Sequence, residues 1–321
     1  MRQIRLGRTN VRVPAVSLGT WGHGGERVSA TGASVGWSGH DDEKAKEALV
    51  AAWRNGITHW DTADVYGDGN AERLIGEVFD AMVPRRDIFL ATKFGWDWGP
   101  YGHPYDPRHM RNHCERSLRL LRTDVIDLYY FHHCDFGEFF DAVLETMHRL
   151  RDEGKVRFIG LSDWESPKIM RVIDRVDPDV VQPYRNLVDD DYESSGLKAW
   201  VDAHDAGVAF FSPLKHGLLL GKYDKPVEYG TGDFRSNVED FRDPVAIERY
   251  KRAAAAMRDR FAQFPEPVLR AVVGALLTGN LTACVLLGQR NVKQVEAAAA
   301  AGEALSAEDA AWVKGQYRAS M

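Results

Sequence analysis

Four side chains able to move a proton to or from a carbonyl oxygen stand close to short apolar runs: a carboxylate at Asp61, a phenol at Tyr66, an amine at Lys93 and an imidazole at His132. Reducing a carbonyl needs a hydride at carbon and a proton at oxygen. A phenol with a pKa of about 10 is a usable acid only when its surroundings bring it toward neutrality. A lysine ammonium does this, and a carboxylate keeps that lysine charged in a partly dry site. The set therefore predicts Tyr66 as the proton-transfer group, its pKa lowered by Lys93, with Asp61 holding Lys93 and His132 donating to the carbonyl oxygen. Plainer roles exist for each residue, a structural ion pair for Lys93 and a turn cap for Asp61. The run His132-His133-Cys134-Asp135 contains metal-ligand types, but adjacent residues on a strand face opposite sides. It reads as one inward site residue and one neighbour packed outside, and no metal site is expected.

The elements that must position these groups repeat along the chain. β-branched or aromatic runs at 16–20, 58–62, 88–94, 125–131, 156–161, 180–182, 208–211 and 283–287 alternate with segments of helical periodicity at 42–55, 71–82, 107–121, 138–153, 166–175 and 192–206. Eight strands with crossover helices and no second composition regime predict a closed (β/α)8 TIM barrel in one domain over 1–321. Residues 3–6 and 12–16 read as a β-hairpin ahead of it. Long loops are expected at the carboxyl-terminal face, where side chains at strand ends converge. The Gly- and Ser-rich stretch 22–39 is one, and 214–243 is a candidate lid over the site. Residues 306–321, with a cap at Ser306, predict an extra carboxyl-terminal helix. The predicted strand ends supply the four groups, two from the second strand and its loop and one each from the third and fourth.

Four blocks carry a resemblance to the aldo-keto reductases: residues 56–67 around Asp61 and Tyr66 with Glu72 beyond, 91–94 around Lys93, 126–129 leading to His132, and 211–214 followed by Gly217, Gly221 and Lys222. The resemblance runs from about residue 3 to about residue 305. It implies that Asp61, Tyr66, Lys93 and His132 are the catalytic tetrad, and that NADP(H) is the cofactor, with NAD(H) as the alternative. It further implies that Thr20, Trp21, Asp61, Ser162, Asp163, Gln182, Phe211, Ser212, Pro213, Leu214, Gly217, Gly288, Arg290 and Gln294 bind the dinucleotide. Phe211 stands where an aromatic ring stacks on the nicotinamide. Trp21, Trp37, Tyr66, Trp96 and His132 would meet the substrate, with Trp98 in the same loop. His23, Asp97, His103 and Lys215 are further polar candidates.

The chain departs from the family pattern at Asp163, where Asn is usual, at Arg185, where Tyr is usual, at Gln294, where several members have Arg, and at Ala298, where Asn is common. An Asp accepts from a carboxamide NH2 but cannot donate to its oxygen. The implied activity is hydride transfer between the cofactor and an aldehyde, ketone or sugar carbonyl. A nucleotide-binding sensor subunit with vestigial catalysis is the alternative, since the family includes channel-associated proteins.

Composition sets outer limits. With 41 Lys and Arg against 47 Asp and Glu the net charge of −6 has the wrong sign for covering a phosphate backbone, so no nucleic-acid partner is expected. The first residues hold no apolar signal region, no run of 18 apolar residues predicts a membrane span, and three cysteines without Cys-x-x-Cys spacing fit a reducing, cytoplasmic setting. The expected partner is a small carbonyl or alcohol substrate, the protein being a monomer or homo-oligomer.

Overall fold

In a computed structural model describing residues 1–29, 32–96 and 99–318, a hairpin of β1 (Gln3–Arg5) and β2 (Arg12–Pro14) precedes a closed barrel. The barrel strands are β3 (Val16–Gly19), β4 (His59–Asp61), β5 (Phe89–Phe94), β6 (Ile126–Phe131), β7 (Val156–Asp163), β8 (Val180–Pro183), β9 (Gly207–Phe210) and β10 (Ala283–Gly288). Each pairs in parallel with its chain neighbour, and β10 returns to β3. The fold is thus the TIM barrel read from the sequence.

Helices α1 (Asp42–Arg54), α2 (Asn70–Ala81), α3 (Pro107–Leu120), α4 (Phe140–Asp152), α5 (Ser166–Val176) and α6 (Leu197–His204) cross between strands. The predicted helix at 192–206 is shorter than its pattern because Gly196, at φ 88°, sits at the amino-terminal cap and sets where regular helix starts. α7 (Pro244–Arg260) and α8 (Pro267–Leu277) follow β9, while α9 (Val292–Ala299) and α10 (Ala307–Arg318) follow β10. Pro at the start of α3, α5, α7 and α8 stands where its missing N–H costs nothing.

Strand alternation divides the core into two layers. Outward residues pack against helices, as Trp60 does on Phe79 of α2 with rings 5.6 Å apart and nearly parallel. Inward residues fill the barrel and are partly polar: Ser17 Oγ lies 2.9 Å from His59 Nδ1, and Cys284 Sγ is 3.6 Å from the same nitrogen. Burial lowers the His59 pKa to about 3, so the ring is neutral there. Gly160 is needed on β7 because a Cβ at this position would lie 2.2 Å from the ring of Tyr130.

The clamp between helix layer and barrel runs through Glu72. This fully buried α2 carboxyl accepts a 2.7 Å bond from Thr92 Oγ1, on the strand residue before Lys93. Burial, with the nearby Asp64 charge, raises its pKa from 4.5 to about 7. The folded chain therefore holds a proton at Glu72 that the unfolded chain loses above pH 4.5, and stability from this group falls between pH 4.5 and 7. The Glu72→Gln variant should gain about 3 kcal/mol relative to wild type between those pH values, read from denaturant midpoints. A pH-independent difference between the two proteins would refute the assignment.

Candidate functional site

Register brings the reactive groups together. Gly19 lies opposite Asp61, and Asp61 opposite Ala91, so Lys93 stands one side-chain repeat nearer the barrel mouth on the same inward face. Lys93 Nζ lies 2.5 Å from Asp61 Oδ1 and 2.7 Å from the carbonyl oxygen of Thr62. It is also 3.5 Å from the Tyr66 hydroxyl. Gln182 Nε2 donates to the second Asp61 oxygen at 2.8 Å. Burial draws the Asp61 pKa up and the Lys93 pKa down, each toward its neutral form, while these bonds favour the ionised pair.

The geometry corrects the expectation for Tyr66. Burial comes first, followed by the charges of Asp61 and Asp64, and together they push the phenol well above its usual pKa. The Lys93 ammonium, 3.5 Å away, favours the phenolate but does not outweigh them. Tyr66 is therefore a neutral phenol holding its proton. His132, its ring 6.0 Å from that of Tyr66, is neutral as well, since burial, aided by His133 and Lys93, lowers its pKa well below the usual value. Its Nδ1 is buried without a partner.

The paired histidines differ from the alternation argument. β6 ends at Phe131, so the rings of His132 and His133 are free to stack at 5.1 Å with planes 9° apart, and both line the cavity. Trp96 packs edge-on against both. Among the described residues, no group of three or more His, Cys, Asp or Glu side chains is placed to hold a metal.

One cavity of about 500 Å3 connects this cluster to the start of α9. Its walls include Thr20, Trp21, Trp37, Asp61, Tyr66, Trp96, His132, Ser162, Asp163, Gln182, Phe211, Ser212, Pro213, Leu214, Gly217, Gly288, Arg290 and Gln294, so the structure brings these candidates to one place. Lys93 lies behind Asp61 and Tyr66, 1% exposed. Other candidates are elsewhere. His103 stacks on Phe139, and Lys215 is paired with Asp189 at 2.6 Å. His23 is buried against the Gln289 carbonyl, and Asp97 and Trp98 lie outside the described residues. Arg185 is fully buried away from the cavity, bonded to Asp190 and Glu193 between the rings of Tyr192 and Phe210.

Two wall residues, Trp164 and His216, and Phe234 packed against both, carry no signal in the sequence beyond being aromatic in polar loops. They form a cage with Trp21, whose ring lies 4.8 Å from Phe234 and 6.1 Å from both Trp164 and Tyr66. His216 enters it from a backbone at φ 58°, and burial lowers its pKa to about 3. At the far end, Arg290 reaches Ser38 and Gly39 carbonyls, its stem passing where a Cβ on Gly22 would stand 2.8 Å away. Gln294 closes α9 by accepting from the Arg290 amide at 2.7 Å while its own amide donates to Asn291.

A family model for the aldo/keto reductase family matches residues 15–317. The chain belongs to this family. It is 30% identical over 318 residues to the aldo-keto reductase YhdN of Bacillus subtilis, covering 96% of this chain and 91% of that protein. It is 38% identical over 204 residues to the aldo-keto reductase str7 of Strobilurus tenacellus, covering 63% and 59%. The solved glycerol dehydrogenase AKR11B4 of Gluconobacter oxydans superposes with a TM-score of 0.81 at 27% identity over 99% of this chain and 96% of that one. This aldo/keto reductase family member is thus an oxidoreductase of the nicotinamide-dependent carbonyl–alcohol class. Among its described residues no helix is long and apolar enough to cross a membrane.

Two loops of this reductase lock over the mouth. Gly36 donates to the Gly232 carbonyl and accepts from the Phe234 amide at 3.0 and 2.8 Å. Asp233 accepts from the Ser38 amide and hydroxyl and pairs with Arg235, whose guanidinium lies over the rings of Trp37 and Tyr229 at 4.5 and 3.9 Å. Arg235→Ala removes the ion pair and both ring contacts. Hydrogen exchange at the Gly36 and Phe234 amides should then quicken by about thirtyfold, an opening easier by about 2 kcal/mol. Exchange unchanged at both amides would show that the backbone bonds alone hold the loops.

Proposed function

We propose that this protein interconverts an uncharged aldehyde, ketone or sugar carbonyl and its alcohol, preferring NADP(H), with Tyr66 as general acid in reduction and general base in oxidation. The observation carrying this is the single buried cluster in which the Tyr66 hydroxyl lies 3.5 Å from Lys93 Nζ while that amine is held by Asp61. The donor set fits a nicotinamide dinucleotide. Ser162 and Gln182 face one another across adjacent strands at the reacting end, and Phe211 offers a ring face nearby. The opposite end holds Arg290, Lys293 and the start of α9, which suit phosphate. The dinucleotide, when bound, supplies or accepts the hydride.

The chain's residues do the remainder. Tyr66 holds a proton at its hydroxyl and gives it to the carbonyl oxygen, and Lys93 stabilises the phenolate left behind. The neutral His132 ring bonds the same oxygen and fixes its position. Trp21, Trp37, Trp96 and Trp164 exclude water from the reacting atoms. The ring cage and the neutral imidazoles of His132, His133 and His216 suit an uncharged substrate, because Lys215 and Arg235 are already paired with acids. Residues 214–243 act as the clamp over the dinucleotide. The three cysteines, all buried and unpaired, suit a reducing cytoplasmic setting.

Tyr66→Phe should keep dinucleotide binding close to wild type and lower kcat by about a hundredfold to ten-thousandfold. The readouts are NADPH binding by fluorescence and NADPH consumption with a panel of aldehydes, ketones and aldoses. Lys93→Met should also lower kcat, through loss of phenolate stabilisation. Near-normal turnover by Tyr66→Phe would refute the role given to the phenol. Binding without turnover by the wild type across the panel would favour a sensor subunit.

A further inference from the structure

We propose that Asp163 makes the site bind the oxidised nicotinamide dinucleotide more tightly than the reduced one, so that the bound couple is biased toward oxidising an alcohol. The inference rests on the nicotinamide reading given above. The two forms of the cofactor differ in one charge at the ring: the oxidised pyridinium is positive and the reduced dihydropyridine is neutral. Any fixed charge beside the ring must therefore discriminate between them.

The formal charges at the reacting end do not sum to zero. Asp61 and Lys93 are opposed at 2.5 Å and largely cancel at a distance. Tyr66 retains its proton, and burial keeps His132 and His133 neutral. Asp163 remains. It ends β7, one residue beyond Ser162, lines the same cavity and is 2% exposed.

Its bonds come from dipoles, not from a cation. Oδ2 accepts the Cys134 amide at 2.9 Å, and Oδ1 accepts the Glu165 amide at 3.0 Å. Two N–H donors hold the group as an acceptor at both oxygens, which is the carboxylate form, without cancelling its charge. The nearest basic side chain, His133, has Nδ1 3.9 Å away and is neutral. Lys168 feels the same carboxylate, but it is engaged by Asp135 at 3.0 Å and Glu165 at 3.2 Å. One buried negative charge is thus left in the cavity wall, on the residue after Ser162, at the end where the nicotinamide reading puts the ring. At the far end the pattern is opposite, with Lys222 and Arg290 lining the cavity and holding no acid partner among the described ion pairs.

At a few ångströms and an effective dielectric constant near 20, such a charge changes the affinity ratio of the two forms by about tenfold or more. A tenfold ratio is equivalent to ~30 mV in the midpoint potential of the bound two-electron couple. The substrate side follows: the favoured reactant is an uncharged alcohol, which would deliver hydride to the ring and its hydroxyl proton to Tyr66 once that phenol has given up its own proton to solvent and stands as phenolate.

The test titrates NADP+ and NADPH separately into wild type, Asp163→Asn and Asp163→Glu, by calorimetry, without substrate. Wild type should bind NADP+ more tightly. Asp163→Asn, neutral and of the same shape, should weaken NADP+ relative to NADPH by about tenfold. Asp163→Glu, which keeps the charge while disturbing the two amide bonds, should retain the wild-type preference even where both affinities fall. Tighter NADPH binding by wild type overturns the inference without any variant, as does an unchanged ratio in folded Asp163→Asn. A ratio lost equally in Asp163→Glu assigns the effect to loop geometry and also overturns it. Wild type binding neither NADP(H) nor NAD(H) removes the nicotinamide reading itself, an outcome distinct from binding with the wrong preference.

Discussion

The contact that the rest of the structure must accommodate is the buried one between Lys93 and Asp61. Taking both charges out of water costs several kcal/mol each, and the 2.5 Å approach recovers this only with further bonds around it. Gln182, from β8 across the barrel, and the Thr62 carbonyl just beyond β4 supply them. The pair can exist only where three strand ends meet at fixed register, which a closed barrel provides and a flexible loop does not. A large apolar layer between strands and helices, with Trp60, Phe79 and Ile75 among its members, offsets what the polar barrel interior costs. Glu72 connects the two layers, since the α2 residue that fixes Thr92 thereby fixes the strand carrying Lys93.

The barrel and the reactive set were legible because both follow from short-range pattern. The strands are short apolar runs, and at or next to the carboxyl ends of three of them stand Asp61, Lys93 and Gln182. The aldo/keto reductase resemblance attached roles to them. What stayed hidden depends on contacts between distant residues. The pairing of Gly36 with Gly232 joins segments about two hundred positions apart, and a Gly- and Ser-rich loop announces only that it is a loop. Trp164, His216 and Phe234 sit in polar stretches with no period, so nothing marks them as one cage. The histidine doublet shows where alternation stops applying, for a residue beyond the last ladder bond is free to turn inward beside its neighbour.

Tyr66 shows a different limit. The sequence names its neighbours but not their order of distance or the depth of the site, and these decide its pKa. With the ammonium nearer Asp61 than the phenol, desolvation dominates and Tyr66 keeps its proton. This suits the chemistry. A group that gives its proton only as negative charge grows on a bonded oxygen needs the cation when the phenolate forms, not before. In the role proposed for Tyr66, the attraction of the Lys93 ammonium for the phenolate works against burial and so limits how far the phenol pKa rises.

Charge is segregated along the cavity in a way that no single motif encodes. The reacting end is lined by neutral imidazoles and two carboxylates, Asp61 paired with Lys93 and Asp163 held by amides, the far end carries Lys222, Arg290 and Lys293, and the ring cage separates the two. Arg235 sits at that junction, yet its charge is spent on Asp233 and on the faces of Trp37 and Tyr229. It therefore fastens the loops without adding an unpaired positive charge to the cavity wall. A lysine would not serve equally, since only a planar guanidinium can lie against an indole and a phenol while bonding a carboxylate edge-on. The cage wall and the fastening of the two loops are consequently one structure: whatever loosens Arg235 moves Trp37, and with it the wall of the cavity.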